Sequence, residues 1–160
     1  MQSRSDLIRS LRDDPQFLIE SGPSNQSLYI ERIQSSKFCL FAYKEGGVEL
    51  LSAALAHGCV PVVITDRPIQ DLPLMDVIRW SEIALFVGAR VGHEELKRVL
   101  IGASESGEYE NMRRLGMAAA HHFAWNESPQ PYDAFHMVMY QLWLRRHAIR
   151  YARWGGAEVS

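Results

Sequence analysis

The spacing of hydrophobic positions along this chain changes several times, and each change predicts a helix or a strand. Apolar residues at helical spacing over residues 5–13 predict a first helix. A short apolar stretch at residues 16–20 predicts a first strand. Ser24 or Asn25 is suited to cap a second helix, because their side-chain oxygens can accept from the free backbone N–H groups of a first turn. The chain is therefore expected to begin with a helix, a strand and a helix.

A continuously apolar run at residues 38–43 predicts one strand, and residues 60–65, Val-Pro-Val-Val-Ile-Thr, predict the clearest strand of the chain. The segment between them, residues 48–57, has the spacing of a helix and is followed by Gly58, the residue type preferred just after a helix. Strands without polar alternation are typical of parallel sheets that are covered on both faces. These runs therefore predict a β-α-β unit.

The second half of the chain is predicted to become wholly helical. A short helix over residues 74–80 and a strand over residues 83–87 complete the alternating part. After Gly92 the pattern predicts three helices, the last of which starts near Pro131. Strands that alternate with helices across short links predict an α/β fold with a doubly wound parallel sheet and a helical C-terminal part.

Length and composition place the chain among ordinary globular domains. It has 160 residues, of which 47% are hydrophobic and 22% charged, and we predict one domain over residues 1–154 with a tail at 155–160. A net charge of −2 gives no reason to expect a nucleic-acid partner. The first residues lack an apolar signal core, and no run approaches the roughly 18 apolar residues of a membrane span. As written, the chain is expected to be soluble.

Two loops leave the predicted carboxyl ends of strands, where open parallel sheets bind their ligands. The loop at 43–47 contains Lys44, Glu45, Gly46 and Gly47 and leads into a helix, whose N–H groups and dipole favour a phosphate. A Gly-Gly turn is, however, more often only a turn. Asp66 follows the strand at 60–65 and can either accept a hydrogen bond from a sugar hydroxyl or cap its own turn.

The cysteines and histidines do not form a recognisable site. Cys39 and Cys59 have no metal-ligand or CxxC spacing and adjoin apolar runs, so we predict buried, inert thiols that say little about redox compartment. Adjacent His121 and His122 would point about 100° apart on a helix, and we predict no metal site there. The basic and aromatic segment at 142–154 suits a solvated or interdomain face, or a surface for a partner.

Residues 36–40 (Ser-Lys-Phe-Cys-Leu) and 58–66 (Gly-Cys-Val-Pro-Val-Val-Ile-Thr-Asp) resemble, in order and spacing, motifs of the exostosin family, glycosyltransferase family 47. Further pieces of the resemblance are Leu72-Pro73-Leu74, Trp80, Met112-Arg113, Phe123-Ala124-Trp125 and Asp133-Ala134-Phe135. The likeness covers about residues 4–146.

The resemblance implies the C-terminal, donor-binding half of a GT-B fold, in which two Rossmann-like halves enclose the active site. Family members typically reside in the Golgi as type II membrane proteins and build heparan sulfate or plant cell-wall polysaccharides. They usually use UDP-sugars with inversion. The implied partners are thus a nucleotide-sugar donor, a glycan acceptor and an N-terminal half, with no cofactor beyond the substrate.

The resemblance also implies where the donor would bind. The diphosphate would lie at Gly46-Gly47 beside Lys44 and Glu45, and the remaining contacts would come from Glu49, Ser52 and Asp66. The catalytic residues are not assigned.

Two departures from the family pattern weaken this assignment. The family places an Arg for the diphosphate and a Glu for the ribose three residues apart, and those positions hold Leu50 and Ala53 here. Glu49 and Ser52 keep the spacing of three but are rotated by about 100° on the helix. The N-terminal half, which commonly supplies the general base, has no counterpart in this sequence, so the chain alone is not expected to catalyse transfer. The alternative is a truncated or diverged, non-catalytic relative that binds a protein or a glycan.

Overall fold

The protein has an α/β fold with a three-stranded parallel sheet. The computed structural model describes residues 4–19, 25–42, 48–65, 68–69 and 72–154. Its strands are β1 (Phe38–Ala42), β2 (Val60–Thr65) and β3 (Leu85–Gly88). The helices in the described residues are α1 (Arg4–Arg12), α2 (Gln26–Ser35), α3 (Val48–Ala56), α4 (His93–Glu105), α5 (Glu108–Ala120) and α6 (Ala134–Trp154).

The strands lie in the order β1-β2-β3, so that β2 is central and β1 and β3 are the edges among the described residues. In the register of the sheet, Ala42 lies opposite Ile64, and Thr65 lies opposite Gly88. All three strands therefore end at the same edge of the sheet, as parallel strands in adjacent register must.

Helices cover both faces of this sheet, which confirms the predicted doubly wound arrangement. On one face Val62 packs in a cluster with Leu11 of α1 and Leu96 of α4. On the other face Val63 packs in a cluster with Leu55 of α3, against which Leu115 of α5 also packs. Because β2 is buried from Val60 to Val63, its run of apolar residues without polar alternation is explained.

The predicted ends of two helices are confirmed. The Asn25 side chain accepts from the Ser27 N–H at 3.2 Å and caps α2. After α3, Gly58 adopts a positive φ of 76°, its N–H donates to the Leu55 carbonyl, and Cys59 N–H donates to the Ala54 carbonyl. These two bonds are those of a Schellman motif, in which glycine is favoured because it lacks a Cβ.

The strand predicted at residues 16–20 is wrong for residues 16–19, which form no strand. The chain turns after α1 because Asp14 accepts hydrogen bonds from the residues that follow it. Its side chain accepts from Gln16 N–H at 2.9 Å, and its carbonyl accepts from Phe17 N–H at 3.0 Å. Turn bonds of this kind compete with a strand ladder for the same backbone groups.

The helix predicted at residues 74–80 is also wrong. A single turn forms around the Leu74 carbonyl, which accepts from Val77 and Ile78, and a 3-10 turn follows at Trp80–Glu82. The carbonyl of Trp80 then accepts from Ala84 N–H, so that β3 begins at Leu85, two residues later than predicted.

The prediction of free thiols is wrong, because Cys39 and Cys59 form a disulfide with their Cα atoms 5.9 Å apart. Phe38 lies opposite Val60 in the sheet, which brings the residue after Phe38 close to the residue before Val60. This proximity exists only once β1 and β2 have paired in that register. A separation of 20 residues in sequence gives no sign of it.

The last helix, α6, exposes much of its apolar surface. Among its exposed side chains are Met139, Leu142 and Trp143, each more than half accessible to solvent. No helix in the described parts of the chain is both long enough and apolar enough to cross a lipid bilayer.

Candidate functional site

The edge at which the three strands end is the candidate ligand-binding edge, as expected for an open parallel sheet. The residues predicted to bind a donor follow β1 and β2 in the sequence. Lys44, Glu45, Gly46, Gly47 and Asp66 lie outside the described residues, between or just after elements whose positions are known. The backbone of Glu49 lies in the first turn of α3, and its side chain is also outside the described part. Ser52 lies in the next turn and is partly buried.

A second group at this edge has no counterpart among the predicted site residues. The buried Asp14 carboxylate accepts from Lys97 Nζ at 2.7 Å, and its Oδ2 lies 2.9 Å from His93 Nε2. The hydrogen bond from Lys97, followed by the backbone N–H of Gln16, lowers the pKa of Asp14 from 3.8 to about 2. Asp14 is therefore held as a carboxylate at neutral pH.

This group joins the end of α1 to the start of α4, the helix that follows β3. The ring of Phe17 packs edge-on against His93, with centroids 5.8 Å apart. His93 is the first residue of α4, and Lys97 lies one turn later on the same side of the helix. The contacts of Asp14 with His93 and Lys97 hold the start of α4, beside the candidate edge, against the end of α1. Sequence reasoning missed it because Asp14 is 79 residues from His93 and 83 from Lys97.

The adjacent histidines hold a loop. His121 Nε2 lies 2.9 Å from the Pro131 carbonyl oxygen, and His122 Nδ1 lies 2.7 Å from that of Tyr132. Both rings thus contact backbone carbonyl groups of the turn before α6. Within the described ranges, no group of three or more His, Cys, Asp and Glu side chains is arranged to hold a metal ion.

A comparison with protein-family models decides the relationship that the motifs suggest. The model of the Exostosin GT47 domain matches residues 1–100, which is more than half of the chain. The chain belongs to the exostosin GT47 family.

Plant proteins are among the relatives found by sequence. A probable glycosyltransferase of Arabidopsis thaliana is 32% identical over 129 residues, covering 76% of this chain and 25% of the relative. A second one from the same plant is 32% identical over 122 residues, with 74% and 24% covered. A probable glucuronosyltransferase of Oryza sativa subsp. japonica is 29% identical over 140 residues, with 86% and 31% covered. The chain thus spans about a quarter to a third of the length of these relatives.

Two of the exostosin motifs have structural roles. The buried Trp80 donates from Nε1 to the Pro73 carbonyl at 2.8 Å, which ties the Leu-Pro segment to the sheet. The buried Asp133 accepts from Gln130 N–H at 2.8 Å and from His136 N–H at 3.3 Å, and so caps α6. These hydrogen bonds, led by that of Gln130, hold the pKa of Asp133 well below its usual range.

The exostosin positions that should carry Arg and Glu are apolar in structure as well as in sequence. Leu50 is 41% exposed and lies in the first turn of α3. Ala53 packs against the cluster formed by Ile33, Ala54 and Cys59. An Arg at position 50 would reach solvent from this place, whereas Leu50 offers a diphosphate neither charge nor a hydrogen bond.

Proposed function

We propose that this exostosin GT47 chain binds the nucleotide-sugar donor, a UDP-sugar, of a glycosyltransferase that builds a polysaccharide or the glycan of a proteoglycan. The observation that carries the proposal is the register of Ala42 with Ile64. Because these residues are opposite each other, the loop at 43–47 and Asp66 leave neighbouring strands at one edge. That edge is where nucleotides bind in open parallel sheets.

The proposed roles follow from the chemistry of each group. Backbone N–H groups of Gly46 and Gly47, together with the start of α3, would hold the diphosphate, and Lys44 would add a positive charge. Glu49, Ser52 and Asp66 would accept or donate hydrogen bonds to ribose and sugar hydroxyls. Glu45 belongs to the same loop and would lie beside the diphosphate.

The activity of a whole enzyme requires an N-terminal half as partner, and the exposed face of α6 supports this part of the proposal. Tyr140 and Trp143 stack with their centroids 6.0 Å apart, and the Arg146 guanidinium carbon lies 3.8 Å from the Trp143 ring centroid. Exposed aromatic and Arg side chains of this kind are enriched at protein interfaces. The glycan acceptor would bind between the two halves.

The disulfide supports the proposed location in the Golgi or secretory lumen. Disulfides form and persist in oxidising compartments and are rare in the cytosol. The bond between Cys39 and Cys59 therefore favours a chain that folds in the secretory pathway.

Leu50 favours a second candidate, a diverged, non-catalytic member of the family. An exposed leucine in place of the diphosphate-binding Arg removes an interaction of roughly 1.5–3 kcal/mol, or about ten- to a hundredfold in affinity. The dipole of α3 replaces only about 0.3–1 kcal/mol of it. Such a chain would keep the fold and bind a protein or a glycan instead.

Calorimetric titration of the 160-residue chain separates the two candidates. The ligands are UDP, UDP-glucose and UDP-glucuronic acid, the last because relatives from rice are named probable glucuronosyltransferases. The first candidate predicts saturable one-to-one binding, at least tenfold weaker when Lys44, Glu49, Ser52 and Asp66 are all replaced by Ala. Absence of heat at millimolar ligand, from a chain shown to be folded, supports the second candidate.

The matched control is Arg79→Ala. Its side chain is 80% exposed and pairs with Glu82 at 3.0 Å, away from the candidate edge. This variant should bind UDP as the wild type does. If the four-residue variant binds as well as Arg79→Ala, the assignment of site residues is wrong even if UDP binds.

A further inference from the structure

Two tripeptides of this chain have the spacing of an acceptor for N-linked glycans, an Asn followed two positions later by Ser or Thr with no Pro between them. They are Asn25-Gln26-Ser27 and Asn126-Glu127-Ser128, whereas the remaining asparagine, Asn111, lacks the hydroxyl residue. Such tripeptides are modified in chains that enter the secretory pathway. The inference drawn from them therefore rests on the proposed location in the Golgi or secretory lumen, which the disulfide supports.

Asn25 lies at the start of α2 in a geometry that leaves its amide nitrogen for modification. Its Oδ1 accepts from Ser27 N–H at 3.2 Å, and its backbone carbonyl accepts from Tyr29 N–H at 3.0 Å. A glycan attaches to Nδ2, the other end of the same amide group. The oxygen that caps α2 is therefore kept after modification.

The surroundings of Asn25 provide room for a bulky group. The side chains of Asn25 and Ser27 are exposed, and Leu28 is 41% exposed. Burial begins further along α2, where Tyr29 is partly buried and Ile33 is buried in a cluster with Ala54 and Cys59. A glycan on Asn25 therefore extends into solvent from the exposed first turn of α2.

Asn126 is exposed as well, but its amide nitrogen is used in the fold. Nδ2 of Asn126 donates to Asp133 Oδ2 at 3.1 Å, and Asp133 is fully buried. A glycan on this nitrogen would replace one of its two N–H groups beside a buried carboxylate that caps α6. In addition, Ser128 precedes Pro129, which restricts the backbone of Ser128. The two acceptor tripeptides are thus not equivalent.

We propose that Asn25 carries an N-linked glycan and that Asn126 does not. The donor is an oligosaccharide held on a polyprenyl diphosphate, and a membrane-bound oligosaccharyltransferase carries out the transfer. Asn25 Nδ2 attacks the anomeric carbon of the first sugar, so that a C–N bond forms and the C–O bond to the diphosphate breaks. One amide proton passes to the transferase, and the polyprenyl diphosphate leaves with the electron pair of the broken bond.

The test uses the 160-residue chain behind a cleavable secretory signal peptide in cultured human cells. The secreted chain is treated with peptide-N-glycosidase F, which removes N-linked glycans and converts the modified Asn to Asp. The expected result is a shift to lower mass on treatment. Mass spectrometry of tryptic peptides should then show an occupancy at Asn25 at least tenfold higher than at Asn126.

Variants of the hydroxyl residue make the test specific. Ser27→Ala removes the hydroxyl but keeps Asn25 and the backbone N–H that it caps, and the glycan should be lost. Ser27→Thr is the matched control and should keep the glycan. Asn25→Asp removes the acceptor amide and keeps a capping oxygen, so this variant should be folded by circular dichroism and unglycosylated. Ser128→Ala should leave the shift unchanged.

Three results would overturn the proposal. One is a folded, secreted wild-type chain whose mass does not change with the glycosidase. Another is a glycan at Asn126 with an occupancy equal to or above that at Asn25. The third is a shift that persists in Ser27→Ala.

These outcomes are separate from those for donor binding. The signal peptide supplies the location, so a missing glycan counts against Asn25 as the site and leaves the proposed location and donor untouched. A chain that carries the glycan but gives no heat with UDP contradicts donor binding alone.

Discussion

Cys39 and Cys59 join the edge strand β1 to the residue that precedes the central strand β2. The bond closes a segment that contains the loop at 43–47 and the whole of α3, which are the parts proposed to hold the donor diphosphate. It ties the chain just after the C-terminal end of α3 to the second residue of β1. The disulfide thus belongs to the framework of the candidate site.

Reduction of this disulfide should destabilise the protein by about 3 kcal/mol, the loop entropy expected for a closed segment of this length. Urea unfolding with and without dithiothreitol measures the difference. The doubly substituted variant Cys39→Ala/Cys59→Ala is the control and should show no response to the reductant. If dithiothreitol does not change the unfolding midpoint of the wild type, the result would contradict the disulfide.

Protonation of Asp14 should weaken the fold in acid. Its pKa is lower in the folded state, about 2, than the ordinary 3.8, so its stabilisation is fully present above about pH 4. That stabilisation is lost as the pH falls from about 4 towards 2. Asp14→Asn should lower the melting temperature at pH 7 by several degrees. Between pH 4 and pH 2 the variant should lose less stability than the wild type.

Asp13→Asn provides the comparison for this effect, because Asp13 is exposed and adjacent in sequence. Thermal unfolding followed by circular dichroism from pH 2 to pH 7 gives both curves. Equal acid dependence in Asp14→Asn and Asp13→Asn would show that the carboxylate of Asp14 does not support the joint between α1 and α4.

Glycine at position 58 should be required by its backbone conformation. Gly58→Ala should destabilise the chain by roughly 1–2 kcal/mol, because a Cβ is disfavoured at a φ of 76°. That Cβ would also lie 3.0 Å from Arg113 Nε. Gly102→Ala, on an open face inside α4, should instead stabilise by about 1 kcal/mol. Unfolding in urea gives both values, and opposite signs are the expected outcome.

Restoring the family's Arg at position 50 should strengthen donor binding. Leu50 is 41% exposed, so Leu50→Arg can be tolerated, and a bidentate contact to a diphosphate is worth roughly ten- to a hundredfold in affinity. Leu50→Gln is the matched control, because it is polar and similar in size but uncharged. Equal UDP affinity of the two variants would show that position 50 does not face the diphosphate.

The sheet could be predicted because its signals are local. The run at Val60–Thr65 is apolar up to its last residue and begins shortly after Gly58, and the structure gives the strand the same bounds as the sequence predicts. A strand is also predicted at 16–20, but residues 16–19 form none, because Asp14 accepts hydrogen bonds from the backbone N–H groups of Gln16 and Phe17. Length and apolar content alone do not reveal such competition.

For the site, the sequence predicts the location in the fold but not which residues contact the ligand. Parallel strands that end together define the edge, but the roles of Lys44, Gly46 and Asp66 remain predictions from the family resemblance. The disulfide and the Asp14–His93 contact were missed because each depends on the tertiary fold. Residues 20 or 79 positions apart carry no sign of their proximity until the register and the helix packing are known.

The most direct test of donor binding at the strand ends is an NMR titration of the ¹⁵N-labelled chain with UDP, followed by amide chemical shifts. The account predicts saturable shifts at residues 44–50 and 66, with those of α5 unchanged. Saturable shifts elsewhere would contradict the proposed site. The absence of any shift at millimolar UDP, from the folded chain, would contradict donor binding itself.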